Sequence, residues 1–332
     1  MKMKKLLSMF LCVTMILSLC LSCGAASAEG LKVALCVAET LGDLGFYDSA
    51  NEGLKRLEAD FGVVGSVVEC KSDASMYQVA LVEAAETSDI VVAVGWQFWD
   101  GLCVVAPEMP ETKFIFVDNG LDGVGDNLLS IVYAENEGSF LAGYIAMKLS
   151  PNATVGVIGG ENSETINNFV VGYKQGALYA NPEGKVLDPI YTDDYEAPDK
   201  GKEAALSLYS QGADVVYQVA GKTGLGVFEA AQEQGKYAIG VDSDQKYVNP
   251  EVIVCSMMKK VGDSVYDVIS AFIKDGTFAG GTIWEAGMDT GLVGLGYGDD
   301  AMPQQVSDEL KAEVEQLAQK IIAGEIVVES TR

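Results

Sequence analysis

The sequence predicts an α/β protein of two lobes, each built on a doubly wound parallel sheet. Three observations lead to this fold class. The 332 residues are enough for two hydrophobic cores. From residue 31 onward, short apolar runs alternate with helical stretches. Most of these runs are continuously apolar, as is typical of parallel strands covered on both faces. Such sheets bind ligands at the carboxyl ends of their strands, so a cleft between the lobes is the expected ligand site.

Residues 1–28 are predicted to be a secretory signal peptide, because lysines are followed by an apolar run and then by small residues. Two processing sites compete: Ala26–Ala28 is an A-x-A cleavage site, and Cys23 resembles a lipoprotein cysteine. Cys20 stands where lipoproteins usually have leucine. An uncleaved membrane anchor is a third alternative. We therefore expect an exported protein, at the cell surface or in the periplasm; a lipid on Cys23 would be its one membrane contact if that cysteine, and not Ala28, marks the processing site.

Ten apolar runs after the signal peptide predict strands. They lie at 31–39, 65–71, 89–96, 112–118, 128–134, 153–160, 185–192, 213–220, 236–243 and 251–258. The stretches between them predict helices at Ser49–Phe61, Tyr77–Thr87, Glu164–Ala180 and Lys202–Gln211. Residues 138–149 are apolar nearly all round and predict a buried helix. Residues 307–324 predict an amphipathic helix, with a short strand after its glycine.

The charge balance limits the partners of the protein. There are 48 acidic against 22 basic residues, a formal net charge of −26. Nucleic acid is an unsuitable partner, because phosphate backbones are bound by clustered lysines and arginines. The chain has no histidine, which removes the commonest general base and metal ligand. Its two arginines, Arg56 and Arg332, are not well placed to grip an anionic ligand. The ligand is therefore expected to be neutral.

Four cysteines follow the signal peptide. Cys36, Cys70, Cys103 and Cys255 are widely spaced and match no metal-binding motif. Cys36 and Cys255 lie in strand-like apolar runs, which predicts buried free thiols. We expect no metal site and no cofactor.

The stretch "VAGKTGLGVFEAA" (Val219–Ala231) predicts a strand, a glycine turn and a helix. A nucleotide-binding P-loop ending in this GKT would need glycine where Val216 stands. The KTG triplet of penicillin-recognising enzymes follows their S-x-x-K motif, but here it precedes the match at Ser256–Lys259. Neither enzyme class fits. The turn glycines predict close backbone approach to a ligand, above all at Gly221, whereas Lys222 needs no contact with it.

Several segments met in order along the chain carry a resemblance to one family. They are "GDLGFYDSANEGL", "ENEGSFLAGYIA", "VGVIGGENSETINNFVVGYKQGA", "GADVVYQVAGKTGLGV", "IGVDSDQ" and "CSMMKKV". This series resembles the basic membrane lipoprotein family, the nucleoside-binding components of bacterial ABC importers. The resemblance covers nearly the whole mature chain.

The resemblance implies a periplasmic-binding-protein type I fold, in which two lobes are joined by a hinge that the chain crosses three times. Lobe one would hold 29–134 plus about 259–288, and lobe two about 135–258 plus 289–332. The implied protein is a monomer and no enzyme, with no catalytic residue. It would carry a nucleoside to an ABC permease and its ATPase.

The resemblance also implies roles for individual residues. Phe46 and Phe169 match positions whose aromatic faces hold the base, although core packing is an alternative for both. Asp242 matches the acceptor of the ribose hydroxyls, with Asp244 as the alternative. Lys259 would donate to a ribose oxygen and offset the charge of Asp242; its neighbour Lys260 is the competing lysine.

The edge of the base has less well-defined partners. Asp43 and Asp118 are candidates, since a carboxylate can accept from the N–H groups of a purine. Trp96 could form a wall of the cleft. Tyr47 stands where the family has asparagine, and no proline precedes the Phe169 segment. Both departures fall at base-recognition positions, so the preferred base is left open, with a purine nucleoside as our expectation.

Three other functions remain as alternatives. Aromatic faces and aspartate acceptors also suit a free sugar or another neutral polyol. The ligand-bound form could be recognised by a sensor protein instead of a permease. A nucleoside hydrolase would use clustered aspartates, but Asp242 and Asp244 are only a pair, and no metal-binding aspartate run stands near the N-terminus.

Overall fold

The computed structural model describes residues 30–332. The predicted signal peptide, with its processing sites at Cys23 and Ala26–Ala28, lies outside the described residues. The strands are β1 (Lys32–Val37), β2 (Val64–Glu69), β3 (Ile90–Val94), β4 (Lys113–Val117), β5 (Leu128–Tyr133), β6 (Thr154–Gly159), β7 (Lys185–Val186), β8 (Ile190–Tyr191), β9 (Val215–Val219), β10 (Tyr237–Asp242), β11 (Ile253–Lys259), β12 (Thr282–Ala286) and β13 (Val293–Gly296). The α-helices are α1 (Phe46–Phe61), α2 (Tyr77–Thr87), α3 (Trp99–Glu108), α4 (Glu135–Leu149), α5 (Glu164–Ala180), α6 (Pro198–Ser210), α7 (Leu225–Gln234), α8 (Val261–Asp275) and α9 (Asp308–Ile322).

The strands form two sheets. The first has the order β12-β5-β4-β3-β1-β2, and the second has the order β13-β11-β10-β9-β6-β7 with β8 beside β6. All pairs are parallel except β11 and β13, which run antiparallel from Lys259↔Val293 to Ser256↔Gly296. The chain passes between the sheets three times, after β5, after β11 and after β12. The residue-level lobe boundaries given above stay predictions.

The predicted strands differ from the observed ones at three places. The run 185–192 is split into β7 and β8, because Pro189 between them lacks an N–H to donate to a ladder. Strands β12 and β13 were not predicted, since β12 is a largely exposed edge strand and β13 is only four residues long. The strand predicted after α9 is wrong. The backbone there bonds to the side chains of Asn136 and Gln175 instead of a neighbouring strand.

Helix α1 begins earlier than predicted, at Phe46 instead of Ser49. The reason is a local cap: the Asp43 carboxylate accepts from the backbone N–H groups of Tyr47 at 2.9 Å and Asp48 at 3.1 Å. These are N–H groups of a first helical turn, which have no partner within the helix. Asp43 thereby fixes the positions of Phe46 and Tyr47 in the first turn of the helix that follows β1. Helices α2 and α5 have the predicted bounds.

Helices α4 and α5 pack closely through glycines. The predicted buried helix, α4, has buried side chains from Glu135 to Met147. A Cβ on Gly176 of α5 would lie 1.8 Å from the carbonyl oxygen of Phe140, and one on Gly143 would lie 2.0 Å from that of Tyr173. Only glycine permits this approach. The contact places the start of both helices beside the point where the chain leaves β5.

We expect Gly176→Ala to lower the free energy of unfolding by about 1–3 kcal/mol, because the added methyl group must push the two helices apart. This loss exceeds the gain of about 1 kcal/mol that alanine brings in helix propensity. Urea unfolding followed by circular dichroism measures the difference. Gly294→Ala is the matched control, since a Cβ there meets nothing within 4 Å. Equal stability of the two variants would contradict the packing argument.

The four cysteines are free thiols in the described part of the chain, with Cys36, Cys70 and Cys255 buried and Cys103 exposed. This confirms the prediction for Cys36 and Cys255. Burial raises the pKa of the Cys36 and Cys255 thiols to about 12, so both remain protonated at neutral pH. Between residues 30 and 332, no helix combines the length and apolar character needed to cross a bilayer.

Candidate functional site

A cavity of about 590 Å³, partly open to solvent, lies at the carboxyl ends of strands from both sheets. This volume includes the solvent-filled mouth of the cleft. All nine residues predicted from the sequence line it. They are Asp43, Phe46, Tyr47, Trp96, Asp118, Phe169, Gly221, Asp242 and Lys259. The structure thus brings together, in one cavity, side chains that are up to 216 positions apart in the chain.

Lys259, at the end of β11, is buried, with 3% of its side chain exposed. It lies against two carboxylates of the cavity. Its Nζ lies 2.6 Å from Oδ1 of Asp118 and 3.6 Å from Oδ1 of Asp242. Burial disfavours the ammonium, but the carboxylates of Asp118, Asp242 and Glu135 outweigh this, so the pKa of Lys259 is raised. The site therefore contains a permanent buried cation between one aspartate of each sheet.

The two aspartates have unusual backbone conformations. Asp118 follows β4 with φ +87°, and Asp242 ends β10 with φ +65°. A non-glycine residue in this region costs of order 1–3 kcal/mol and persists only where the surroundings impose it. Such strain is common at functional sites, and here it aims both carboxylates at the same ammonium.

Asp242 has a carboxylate without a hydrogen-bond donor in the described chain. Its buried Oδ1 has no hydrogen-bond partner among residues 30–332, although the Lys259 Nζ lies 3.6 Å away as an ion pair. Burial raises the pKa of Asp242 to about 7, with further contributions from Asp118 and Asp43, while Lys259 acts in the opposite direction. A buried carboxylate in this state is suited to accept from donors that a ligand brings.

Asp43 is less free than the sequence suggested. Its Oδ1 accepts from the N–H groups of Gly45 and Asp48, and its Oδ2 accepts from Tyr47. Burial raises its pKa to about 7, although these N–H groups act in the opposite direction. Most of its acceptor capacity is thus used to hold the start of α1, which makes it a positioning residue for Phe46 and Tyr47.

The two predicted aromatic faces flank the buried ammonium. The Lys259 Nζ lies 4.5 Å from the ring centroid of Phe46 and 5.1 Å from that of Phe169. A third ring, Tyr133, is 5.5 Å away. These distances are within the range of cation–π attraction. Trp96 lies at the rim with 39% of its surface exposed.

The glycine turn after β9 contributes one glycine to the cavity. Gly221 has φ +53° and lines the wall. Gly224 instead leaves room for the side chain of Gln218, and Gly226 lets α7 approach the carbonyl oxygen of Pro198 in α6. The close ligand approach predicted for the turn is therefore possible at Gly221, whereas Gly224 and Gly226 serve packing.

Sequence reasoning missed Tyr195 and Glu196, which line the cavity from the loop before α6. Glu196 reaches the opposite side, where its Oε2 accepts from the Thr40 hydroxyl at 2.9 Å. The Lys222 Nζ is 3.3 Å from the same oxygen and 3.4 Å from the Thr40 hydroxyl. We call Thr40, Glu196 and Lys222 the latch, because they join the loops of the two sheets across the cleft. The signal for Tyr195 and Glu196 is weak, because the strand before them has only two residues.

Loss of the latch is expected to weaken ligand binding modestly. Glu196→Gln and Lys222→Ala should each raise the dissociation constant about 3- to 10-fold, because partly exposed hydrogen bonds of the closed form are worth about 0.5–1.5 kcal/mol each. Calorimetric titration measures the change. Lys200→Ala is the matched control, since Lys200 pairs with Asp194 on the surface without bridging the cleft. If Lys222→Ala left the dissociation constant unchanged while Lys200→Ala raised it, the latch would have no role in ligand binding.

Three carboxyl groups make stability depend on pH. Burial, followed by Glu196 and Glu161, raises the pKa of Glu39 to about 8, while Asp43 and Asp242 are raised to about 7. Each folded-state value lies above the unfolded one, so the folded protein binds more protons between about pH 4 and 8. Their contribution is present at the acid end and is lost as pH rises through 7 to 8.

We therefore expect urea unfolding to give a smaller free energy at pH 8.5 than at pH 6. Glu39→Gln should reduce this difference, because it removes the group with the highest of the three values. A free energy of unfolding that rises between pH 6 and 8.5 would contradict the assignment.

Arg332 lies outside the cavity lining. Its guanidinium forms a two-pronged contact with Glu135, with Nη1 3.1 Å from Oε2 and Nη2 3.2 Å from Oε1. No local sequence pattern predicts that this arginine lies at the point where the chain leaves β5. It grips an internal carboxylate, so it is not available for an anionic ligand.

Comparisons with known proteins agree with this architecture. Residues 31–332 match the family described as ABC transporter substrate-binding protein PnrA-like. Basic membrane protein A of Borreliella burgdorferi is 32% identical over 334 residues, covering 99% of this chain and 97% of that protein. Basic membrane protein A1 of Borrelia garinii subsp. bavariensis is 33% identical over 331 residues, covering 98% and 96%.

Among solved structures, an ABC transporter solute-binding protein from Aeropyrum pernix K1 superposes with a TM-score of 0.80 at 27% identity. The alignment covers 90% of this chain and 92% of that one. This similarity confirms the predicted α/β fold class, a type I periplasmic-binding fold.

Proposed function

Because this chain belongs to the PnrA-like family of ABC transporter substrate-binding proteins, we propose that its cleft captures a nucleoside and presents it to an ABC permease driven by a separate ATPase. The family and the fold are those of substrate-binding proteins, which are not enzymes. The ligand would leave the cleft chemically unchanged.

The observation that carries the proposal is the buried Asp242 carboxylate, which accepts no hydrogen bond from the described residues. A ribose offers two adjacent hydroxyl donors, and an ionised carboxylate can accept from both. Lys259, 3.6 Å away, supplies a cation that favours the ionised form of the carboxylate and can donate to a ribose oxygen. Asp244, the alternative acceptor, is committed elsewhere: it accepts from the backbone N–H groups of Lys246 and Gly298.

The aromatic side chains support a base as the other half of the ligand. Phe46 and Phe169 both line the cavity, and stacking on such rings is worth about 1–3 kcal/mol for a base. A purine, with two fused rings, covers more aromatic surface than a pyrimidine. We therefore propose a purine nucleoside. Asp118 pairs with Lys259 and Asp43 caps α1, so Tyr47, Trp96 and Gln97 are the better candidates for contact with the edge of the base.

The family also supports a proposal for where the protein works. Substrate-binding proteins of ABC importers work outside the cytoplasm, and we propose that this chain is exported as a monomer, with Cys23 as the site of a lipid anchor if processing occurs there. Mass spectrometry of the mature protein distinguishes a lipidated Cys23 from a start at Glu29.

Calorimetric titration with inosine, adenosine, guanosine, cytidine and ribose tests the proposed ligand. We expect the purine nucleosides to bind more tightly than cytidine, and ribose to bind weakly because it lacks the base. Binding of ribose without binding of inosine would replace the proposal by a sugar-binding function. If none of the five compounds gave binding heat at concentrations up to about 1 mM, the proposed function would be wrong. A dissociation constant of 1 mM corresponds to about 4 kcal/mol of binding free energy.

A further inference from the structure

The segment 327–332, which we call the tail, lies along the helices α4 and α5. The Gln175 side chain donates to the Val327 carbonyl at 3.0 Å and accepts from the Glu329 N–H at 2.7 Å. Asn168 Oδ1 accepts from the Ser330 hydroxyl and the Thr331 N–H. These bonds anchor the tail on the side of the second sheet.

The last side chain of the tail reaches across to the first sheet. Arg332 donates to the carbonyl oxygen of Tyr133 at 2.7 Å and to that of Asp118 at 3.2 Å. The same guanidinium grips Glu135 and lies 3.1 Å from the Thr165 hydroxyl. Arg332 thus joins the end of β4 and the end of β5 to the start of α4 and α5.

Two of these contacts bear on the cleft. The carbonyl oxygen of Asp118, which follows the strained φ of +87°, accepts from Arg332 and also from Thr165 at 3.4 Å. The side chain of the same residue holds Lys259 at 2.6 Å. A strained backbone conformation persists only where neighbouring groups hold it. The two hydrogen bonds to the Asp118 carbonyl oxygen hold the backbone, and thereby keep the side chain in one place.

The second contact concerns charge. Glu135 is 0% exposed, and the cations that act on its carboxylate are Arg332 and Lys259. A buried carboxylate that loses one partner must find another or take up a proton. Without Arg332, Glu135 would compete with Asp118 and Asp242 for the Lys259 ammonium.

We propose that Arg332 is a positioning residue for the ligand cleft: it holds the Asp118 backbone and neutralises Glu135, so that the Lys259 ammonium stays between Asp118 and Asp242. The inference rests on the proposed function in one respect, namely that this cleft is the ligand site. It concerns how the cleft is kept ready, whichever neutral ligand enters.

Inosine titration of Arg332→Gln tests the inference. We expect the dissociation constant to rise about tenfold, the equivalent of 1.4 kcal/mol. Arg332→Gln combined with Glu135→Gln should recover most of the affinity, because the carboxylate that competes for Lys259 is gone. Gln175→Ala is the matched control: it removes two of the bonds between the tail and α5 but leaves the guanidinium contacts, and its affinity should stay within twofold of the unaltered protein. Should Arg332→Gln fail to fold, Arg332→Lys, which keeps one cation, should show an intermediate loss.

An affinity of Arg332→Gln within twofold of the unaltered protein would overturn the inference. The same holds for a double variant that binds no better than the single one, since a merely structural tail would not be rescued by Glu135→Gln.

Hydrogen exchange of the ligand-free protein separates this inference from the proposed function. We expect faster exchange at 116–120 and 133–137 in Arg332→Gln but not in Gln175→Ala. If the unaltered protein binds no nucleoside, the proposed function fails while this comparison still decides the role of Arg332. Equal exchange in both variants and the unaltered protein would overturn it.

Discussion

Asp242→Asn is expected to raise the dissociation constant for a purine nucleoside about 10- to 150-fold. The change keeps the shape of the side chain, and asparagine tolerates the left-handed backbone that Asp242 adopts at φ +65°. It removes the charge that two ribose hydroxyls would contact, and hydrogen bonds to a charged acceptor are worth about 1.5–3 kcal/mol. The folded protein should lose little stability, since the carboxylate accepts no hydrogen bond from residues 30–332 and Lys259 keeps its closer partner Asp118 at 2.6 Å.

Asp244→Asn provides the matched control for Asp242→Asn. Asp244 is only two positions away, but its carboxylate holds the N–H groups of Lys246 at 3.2 Å and Gly298 at 2.7 Å. We expect this variant to bind within about twofold of the unaltered protein while losing about 1 kcal/mol of stability. The reverse pattern, with binding lost in Asp244→Asn and kept in Asp242→Asn, would show that the wrong aspartate has been assigned to the ribose.

Lys259→Met is expected to abolish nucleoside binding and to lower the free energy of unfolding by about 3–5 kcal/mol at pH 7. The substitution leaves Asp118 and Asp242 as two buried carboxylates without their cation, and breaking a buried ion pair by removing one partner costs about this much. The loss should shrink at pH 5, because burial raises the pKa of Asp242 to about 7 and this carboxyl group is then protonated. Urea unfolding at the two pH values measures both effects.

Two further variants sharpen the test of Lys259. Asp118→Asn added to Lys259→Met should recover part of the stability, because it removes one of the stranded charges. Lys260→Met should leave stability and binding nearly unchanged, since Lys260 makes no salt bridge in the described structure. If Lys222→Ala abolished binding while Lys259→Met left it intact, the assignment of Lys259 as the ligand-binding lysine would be wrong.

Much of the site could be predicted from the sequence because parallel strands end at a common edge. Asp118, Gly221, Asp242 and Lys259 each stand at the end of an apolar run, and the family resemblance added Phe46 and Phe169 from the neighbouring helices. Nothing local marks Tyr195 or Glu196, which follow the two-residue strand β8.

The remaining features depend on contacts between distant parts of the chain. Arg332 acts on Glu135, 197 positions earlier, and no local pattern announces such a pair. The left-handed backbone of Asp118 is imposed by its surroundings and cannot be derived from propensity, which disfavours it. The role of Asp43 as a cap of α1 also depends on where the helix begins. The sequence predicted a start at Ser49, too far from Asp43 for this contact, whereas the helix begins at Phe46.

The most direct test of the account is a crystal structure of the protein with inosine bound. We predict that the two ribose hydroxyls lie within about 3 Å of the Asp242 carboxylate oxygens, with the base between Phe46 and Phe169 and the Lys259 ammonium beside the ribose. A ligand bound outside this cleft, or a ribose turned away from Asp242, would contradict the central claim.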